Sequence, residues 1–211
     1  MTIQSPADAI FLTVKSKYTK DFTSLTKRFA LENATTVHLE DLVTLTGTVH
    51  SLPKTLSQEK IDRGFSMDNI QVGDELIFSF NVIYDFFQKE PEGEMFYKNR
   101  LNYNGKDYWA ADITKIFAVI RNDEIIMLNG YVMAMPFSED LIITQDYVKS
   151  TRKCKFSRVI HIGEPRTNKS KIDVSQDDQI YYNPKKVTKY EINRKPFIIL
   201  TQQQVFGTKV N

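Results

Sequence analysis

The residues able to do chemistry in this chain are few and scattered. Three histidines, His38, His50 and His161, stand far apart and make no i, i+4 pair of the kind that holds zinc on a helix. One cysteine, Cys154, excludes an internal disulfide framework and fits a reducing compartment. Its basic neighbours would favour the thiolate, but no histidine is placed to act with it, so it reads as a structural or incidental thiol. Glu90, Glu92 and Glu94 crowd a turn with Pro91 and Gly93, without the spacing of a calcium loop. There is no Gly-x-Ser-x-Gly elbow and no phosphate-binding glycine loop. These absences argue against an enzyme and leave catalytic residues, metal ligands and cofactors all unassigned.

Charge is the stronger signal. The net charge is +2, but residues 1–123 carry 14 Lys/Arg against 17 Asp/Glu, whereas residues 124–211 carry 14 against 9. The excess gathers at Lys149, Arg152, Lys153, Lys155, Arg158, Arg166, Lys169 and Lys171, opposed only by Glu164. Such a run reads first as a solvated loop, and otherwise as a contact for an acidic face or for phosphates. It lacks aromatic interleaving of the kind single-strand binders use, and no nucleic-acid module accompanies it, so nucleic acid is not an expected partner.

The elements that would carry these residues are mostly strands. Ala9 to Val14 is a β-rich run, and Leu42 to Val49 is another, with Gly47 as a bulge or turn. Leu52-Pro53 ends it. Residues 54–69 are polar and read as a loop. Val72-Gly73-Asp74 is a turn leading into the alternating run Glu75 to Phe80. Asn104-Gly105 marks a hairpin before Tyr108-Trp109, and Asn122-Asp123 is a polar break. Ile125 to Met135 resumes a strand pattern, interrupted by a second hairpin signal at Asn129-Gly130. Phe197 to Leu200 is a buried strand, and Val205-Phe206 ends the pattern. Helical periodicity is scarce. The fold class is mainly β, an antiparallel barrel or sandwich. The polar stretch Met1 to Ala9 has no signal-peptide core, and no apolar run reaches the roughly 20 residues of a membrane helix. A soluble, cytoplasmic protein is expected.

Several runs recur in order. Tyr108–Phe117 matches Phe197–Phe206, Asp74–Phe78 matches Asp178–Tyr182, Val49 matches Val159, and Ile10–Val14 matches Tyr131–Met135. An Ile-x-Val at Ile70 and at Ile172 precedes the second pair. The order implies two small barrels, 1–123 with insertions and 124–211, joined near Asn122-Asp123. Chance alignment of apolar runs is the alternative.

Between Gly130 and Gly163 the chain reads as an apolar strand, an aliphatic tripeptide Leu141-Ile142-Ile143, a basic return Lys149-Ser150-Thr151-Arg152-Lys153, and a strand Val159–Gly163. This order resembles the GroES-like co-chaperonin family. Val72-Gly73-Asp74 is similar to that family's Val-Gly-Asp element, and Gln176–Tyr181 stands in its place in the second half. The resemblance implies tandem antiparallel β-barrels and a non-enzymatic protein that lays Leu141, Ile142 and Ile143 into an apolar groove of a chaperonin ring. Lys149, Arg152 and Lys153 would lie on the loop's return, and the chain would form a homo-oligomeric ring. The alternative is a structural assembly protein built from the same barrels: a ring, connector or capsid-associated subunit, as in a virus, with the virion as its location.

Overall fold

Short alternating runs separated by turn dipeptides build this chain, and a computed structural model shows what they make. It describes residues 4–15, 45–83, 88–89, 95–96, 99–136, 155–166, 174–183, 187–192 and 195–209. The chain divides into two compact units, Met1–Asp123 and Glu124–Asn211. Both are antiparallel and β-barrel-like.

The first unit contains β1 (Ala9–Thr13), β2 (Thr46–Ser51), a short helix α1 (Gln58–Asp62), β3 (Glu75–Phe78), β4 (Gln88–Lys89), β5 (Met95–Phe96), β6 (Arg100–Tyr103), β7 (Lys106–Asp112) and β8 (Ile116–Arg121). The second contains β9 (Glu124–Met127), β10 (Tyr131–Pro136), β11 (Lys155–Ile162), β12 (Gln179–Tyr182), β13 (Thr188–Ile192), β14 (Lys195–Thr201) and β15 (Val205–Lys209). In the first unit the strands lie in the order β6-β7-β1-β2-β3-β8, and in the second β13-β14-β10-β11-β12-β15. Element for element, the two orders are the same.

The correspondence extends to irregularities. β1 and β2 slip register between Phe11 and Leu12, leaving His50 as the extra residue. β10 and β11 slip between Met133 and Ala134, leaving Ile160 extra. β3 and β8 slip at Phe117, and β12 and β15 slip at Phe206. A 3-10 turn joins β7 to β8 at Ile113–Lys115, and another joins β14 to β15 at Gln202–Gln204. The turn before β3 is closed by Gln71 N–H on Asp74 Oδ2 (2.7 Å), and the turn before β12 by Ser175 N–H on Asp178 Oδ2 (2.7 Å). Val49 N–H donates to Asp74 O, as Val159 N–H does to Asp178 O. Both aspartates are buried, yet each has a backbone donor, as a buried carboxylate requires.

Several sequence expectations need correction. Residues 54–69 hold α1, which buries none of its residues and so leaves no apolar periodicity to read. Gly47 is neither a bulge nor a turn. A Cβ there would lie 3.0 Å from Val14 Cγ1 and 3.1 Å from Thr13 O, so glycine permits a close approach inside β2. Asn104-Gly105 does turn a hairpin, both residues having positive φ and β6 pairing with β7. Asn129-Gly130 has the same conformation but turns no hairpin with β10, which pairs with β11 and β14. β15 runs on to Lys209, beyond Phe206. The shared pairing also aligns Ile10 with Val132 rather than Tyr131, and Ile70 with Val174 rather than Ile172. A one-residue slip matters because it exchanges the faces of a strand.

Candidate partner-binding surface

The second unit's core is built by alternate residues of five strands. Val132 and Ala134, Val159, Ile180 and Tyr182, Ile198 and Leu200, and Val205 form one buried cluster. Each comes from every second position of its strand, the period at which side chains share one face. Within that cluster's sheet β10 is central, flanked by β14 and β11. Its last residues, Met135 and Pro136, pair with Arg158 and Ser157. The connection 137–154 therefore leaves and rejoins the sheet at neighbouring positions, between two strands that are each paired on both sides. Ser157 is fully buried, and its hydroxyl lies 3.3 Å from Tyr182 Oη, which ties β11 to β12 just where the connection returns.

Leu141, Ile142, Ile143, Lys149, Arg152 and Lys153 lie on that connection and outside the described residues. Cys154, His38 and the glutamates 90, 92 and 94 are outside them too. The strand Val159–Gly163 is found as the end of β11, and the reason for its glycine is steric. A Cβ on Gly163 would stand 2.9 Å from Leu128 O and 3.0 Å from Leu128 C and Met127 C, all backbone atoms that cannot swing away.

The described histidines have structural surroundings. His50 stacks against Tyr108, with ring centroids 4.6 Å apart. His161 is pushed down from the usual imidazole value by burial, which holds it neutral. Trp109 is buried in β7. Among the described residues, no three His, Cys, Asp or Glu side chains gather to hold a metal. A recess of about 40 Å³ lies by Gly130, Arg166 and Gln202, room for a water or two. Arg166 closes it, donating through Nε to Asn129 O at 2.8 Å with its guanidinium over the Tyr131 ring.

The turns before β3 and β12 differ in their residues, Val72-Gly73-Asp74 in one and Gln176-Asp177-Asp178 in the other. Asp74 is gripped by Arg121, Nε to Oδ1 at 2.9 Å and Nη2 to Oδ2 at 2.7 Å, and Nη2 also donates to Asn69 O. The Arg121 hydrogen bonds hold the Asp74 carboxyl below its usual range against the opposing effect of burial. Gly73 carries a φ of 94°, and Asp177 takes the matching place at 70°. The tight turn is thus kept in the second unit without its glycine, an aspartate being among the residues that tolerate this conformation.

Sequence reasoning missed the bulge aromatics. Phe117 is 9 % exposed, while Phe206, at the same place in the second unit, is 57 % exposed on the outermost strand of its sheet. Both stand one residue after a buried aliphatic residue, Ile116 and Val205, so spacing alone could pair them but not tell which is covered. No described helix is long and apolar enough to cross a membrane.

A search of curated proteins finds no match to this chain. A family model does match, over residues 137–209, about a third of the chain: that of the chaperonin 10 kDa subunit, so the stretch from the end of β10 to the end of β15 is similar to the co-chaperonin family.

Proposed function

We propose that this chain is a non-enzymatic, co-chaperonin-like protein that docks on a chaperonin ring through Leu141, Ile142 and Ile143 and assists folding. One observation carries the reading. The matched residues 137–209 begin where β10 ends, so they take in the whole β10–β11 connection together with the strands that hold its return. Lys149, Arg152 and Lys153 then form the basic return of that segment.

Burying three aliphatic side chains contributes roughly 1.5–3 kcal/mol each. The freedom lost on association offsets much of this. Useful affinity therefore needs several copies presented together, which favours a homo-oligomeric ring acting in the cytoplasm. β15 is the outermost described strand of its sheet and carries the exposed Phe206, which supports such assembly. The identical strand order supports reading the first unit as a second barrel of the same kind, making the chain a tandem.

A second reading, a structural assembly subunit of a ring, connector or capsid, is favoured by one fact: the first unit repeats the strand order but lies outside the matched residues. The experiment that separates them is chaperonin-assisted refolding. A bacterial chaperonin with ATP is given a substrate protein whose refolding requires a cap, with this chain as the only cap. Recovery of native substrate, lost with Leu141→Asp/Ile143→Asp, supports the first reading. No recovery with the folded wild-type chain contradicts it and favours the second.

A further inference from the structure

The outer face of the second unit's sheet carries two rows that no role above uses. Strand register places Phe156, Tyr181 and Gly207 side by side across β11, β12 and β15. Two residues along, it places Arg158, Gln179 and Lys209 side by side. Ser157 and Ile180, on the opposite face, are fully buried, so these six positions face outward. Arg158 and Lys209 are exposed, and Phe156 and Tyr181 are half-buried. Their rings meet edge to face at 4.3 Å, which leaves ring surface open. A Cβ on Gly207 would meet nothing within 4 Å, so the aromatic row ends in a gap, with Phe206 standing exposed beside it.

The first unit shows that the scaffold does not require this. Its matching rows are Thr46, Ile77 and Ala118, then Thr48, Glu75 and Ile120. They hold no aromatic ring and no cation, and Ile77 and Ala118 are fully buried. On the same strand order, the first unit's face is covered at Ile77 and Ala118 and exposes only Thr48 and Glu75, whereas the second unit's is aromatic and cationic.

We infer that this face of β11, β12 and β15 binds single-stranded nucleic acid, its bases stacking on Tyr181 and Phe156 and its phosphates meeting Arg158 and Lys209. Rings set one register step from cations are what a sequence-tolerant single-strand surface needs. The second unit's charge excess, 14 Lys/Arg against 9 Asp/Glu, is complementary to such a strand. An acidic protein segment would use the cations and leave the rings without a role. The basic run in the sequence holds one of these rings, Phe156 between Lys155 and Arg158, and the second comes from β12, across the sheet. The inference does not depend on chaperonin binding.

The test is fluorescence anisotropy of the full chain with a labelled oligothymidylate of about 20 nucleotides, at salt between roughly 50 and 200 mM. Wild type should bind at low salt. Tyr181→Ala should weaken binding about tenfold through lost stacking. Arg158→Glu/Lys209→Glu lies on the solvent face, leaves the core intact, and should lower the salt slope by at least about 1.4. Thr48→Lys in the first unit should leave binding unaltered. Circular dichroism checks that each variant folds. Absence of binding at low salt, or Tyr181→Ala or Arg158→Glu/Lys209→Glu binding like wild type, overturns the inference. So does displacement of the probe by polyglutamate as readily as by unlabelled oligothymidylate, which would assign the face to an acidic protein.

Discussion

Gly163→Ala should destabilise the second unit although it adds a single methyl group. The new Cβ would stand 2.9 Å from Leu128 O and 3.0 Å from two backbone carbons. Relief needs a movement of about half an ångström in the backbone of 127–128 or in the end of β11. Gly163 N–H donates to Tyr131 O at 2.8 Å, so moving β11 strains the start of β10 as well. Overpacking of this kind costs about 1–3 kcal/mol. We expect about 2 kcal/mol, which is roughly a thirtyfold rise in opening. Gly207→Ala is the internal control, since nothing lies within 4 Å of its Cβ, and replacing a strand glycine should be neutral or stabilising by up to about 1 kcal/mol. Hydrogen exchange followed by mass spectrometry on peptides from β10, β11 and β14 reads both. If Gly163→Ala exchanged like wild type, or Gly207→Ala cost as much, close packing would not explain the glycine at the end of β11.

Three further outcomes are expected. Asp74 is held below its usual range by Arg121, so its folded pKa lies below the unfolded value of about 3.9. Its stabilisation is present above that value and lost as pH falls through the folded pKa; Arg121→Met should reduce stability at neutral pH and flatten the acid limb, read from urea midpoints by Trp109 fluorescence. His161 has a folded pKa below its unfolded value of about 6.5. The folded state is therefore penalised as pH falls below about 6.5, and His161→Gln should remove that slope, with an NMR titration giving the depressed value directly. Ile180→Ala, at a fully buried position in the second unit's cluster, should cost about 2–5 kcal/mol in denaturant unfolding followed by circular dichroism.

Much of the fold could be read from the chain because it rests on local signals. Asn104-Gly105, Gly73-Asp74 and the buried run Phe197–Leu200 each specify a turn or strand with their own residues. What could not be read depends on partners distant in sequence. α1 buries no residue and has no periodic signature. Gly47 looks like a breaker until Val14 and Phe78 are seen against it. Asn129-Gly130 carries a hairpin sequence, but its strands find other neighbours. The pairing of Phe156 with Tyr181 is set by strand register and has no trace in spacing. For the candidate site, the strand ends that hold the β10–β11 connection follow from Val159–Gly163. Leu141, Ile142 and Ile143 themselves rest on their types and on the family match.

The most direct test of the chaperonin reading is co-elution of the purified chain with a bacterial chaperonin on gel filtration, with and without ATP, alongside Leu141→Asp/Ile143→Asp. The account predicts nucleotide-dependent co-elution that the double variant loses while remaining folded. A folded wild-type chain that never co-elutes, or a double variant that co-elutes as wild type does, would contradict it.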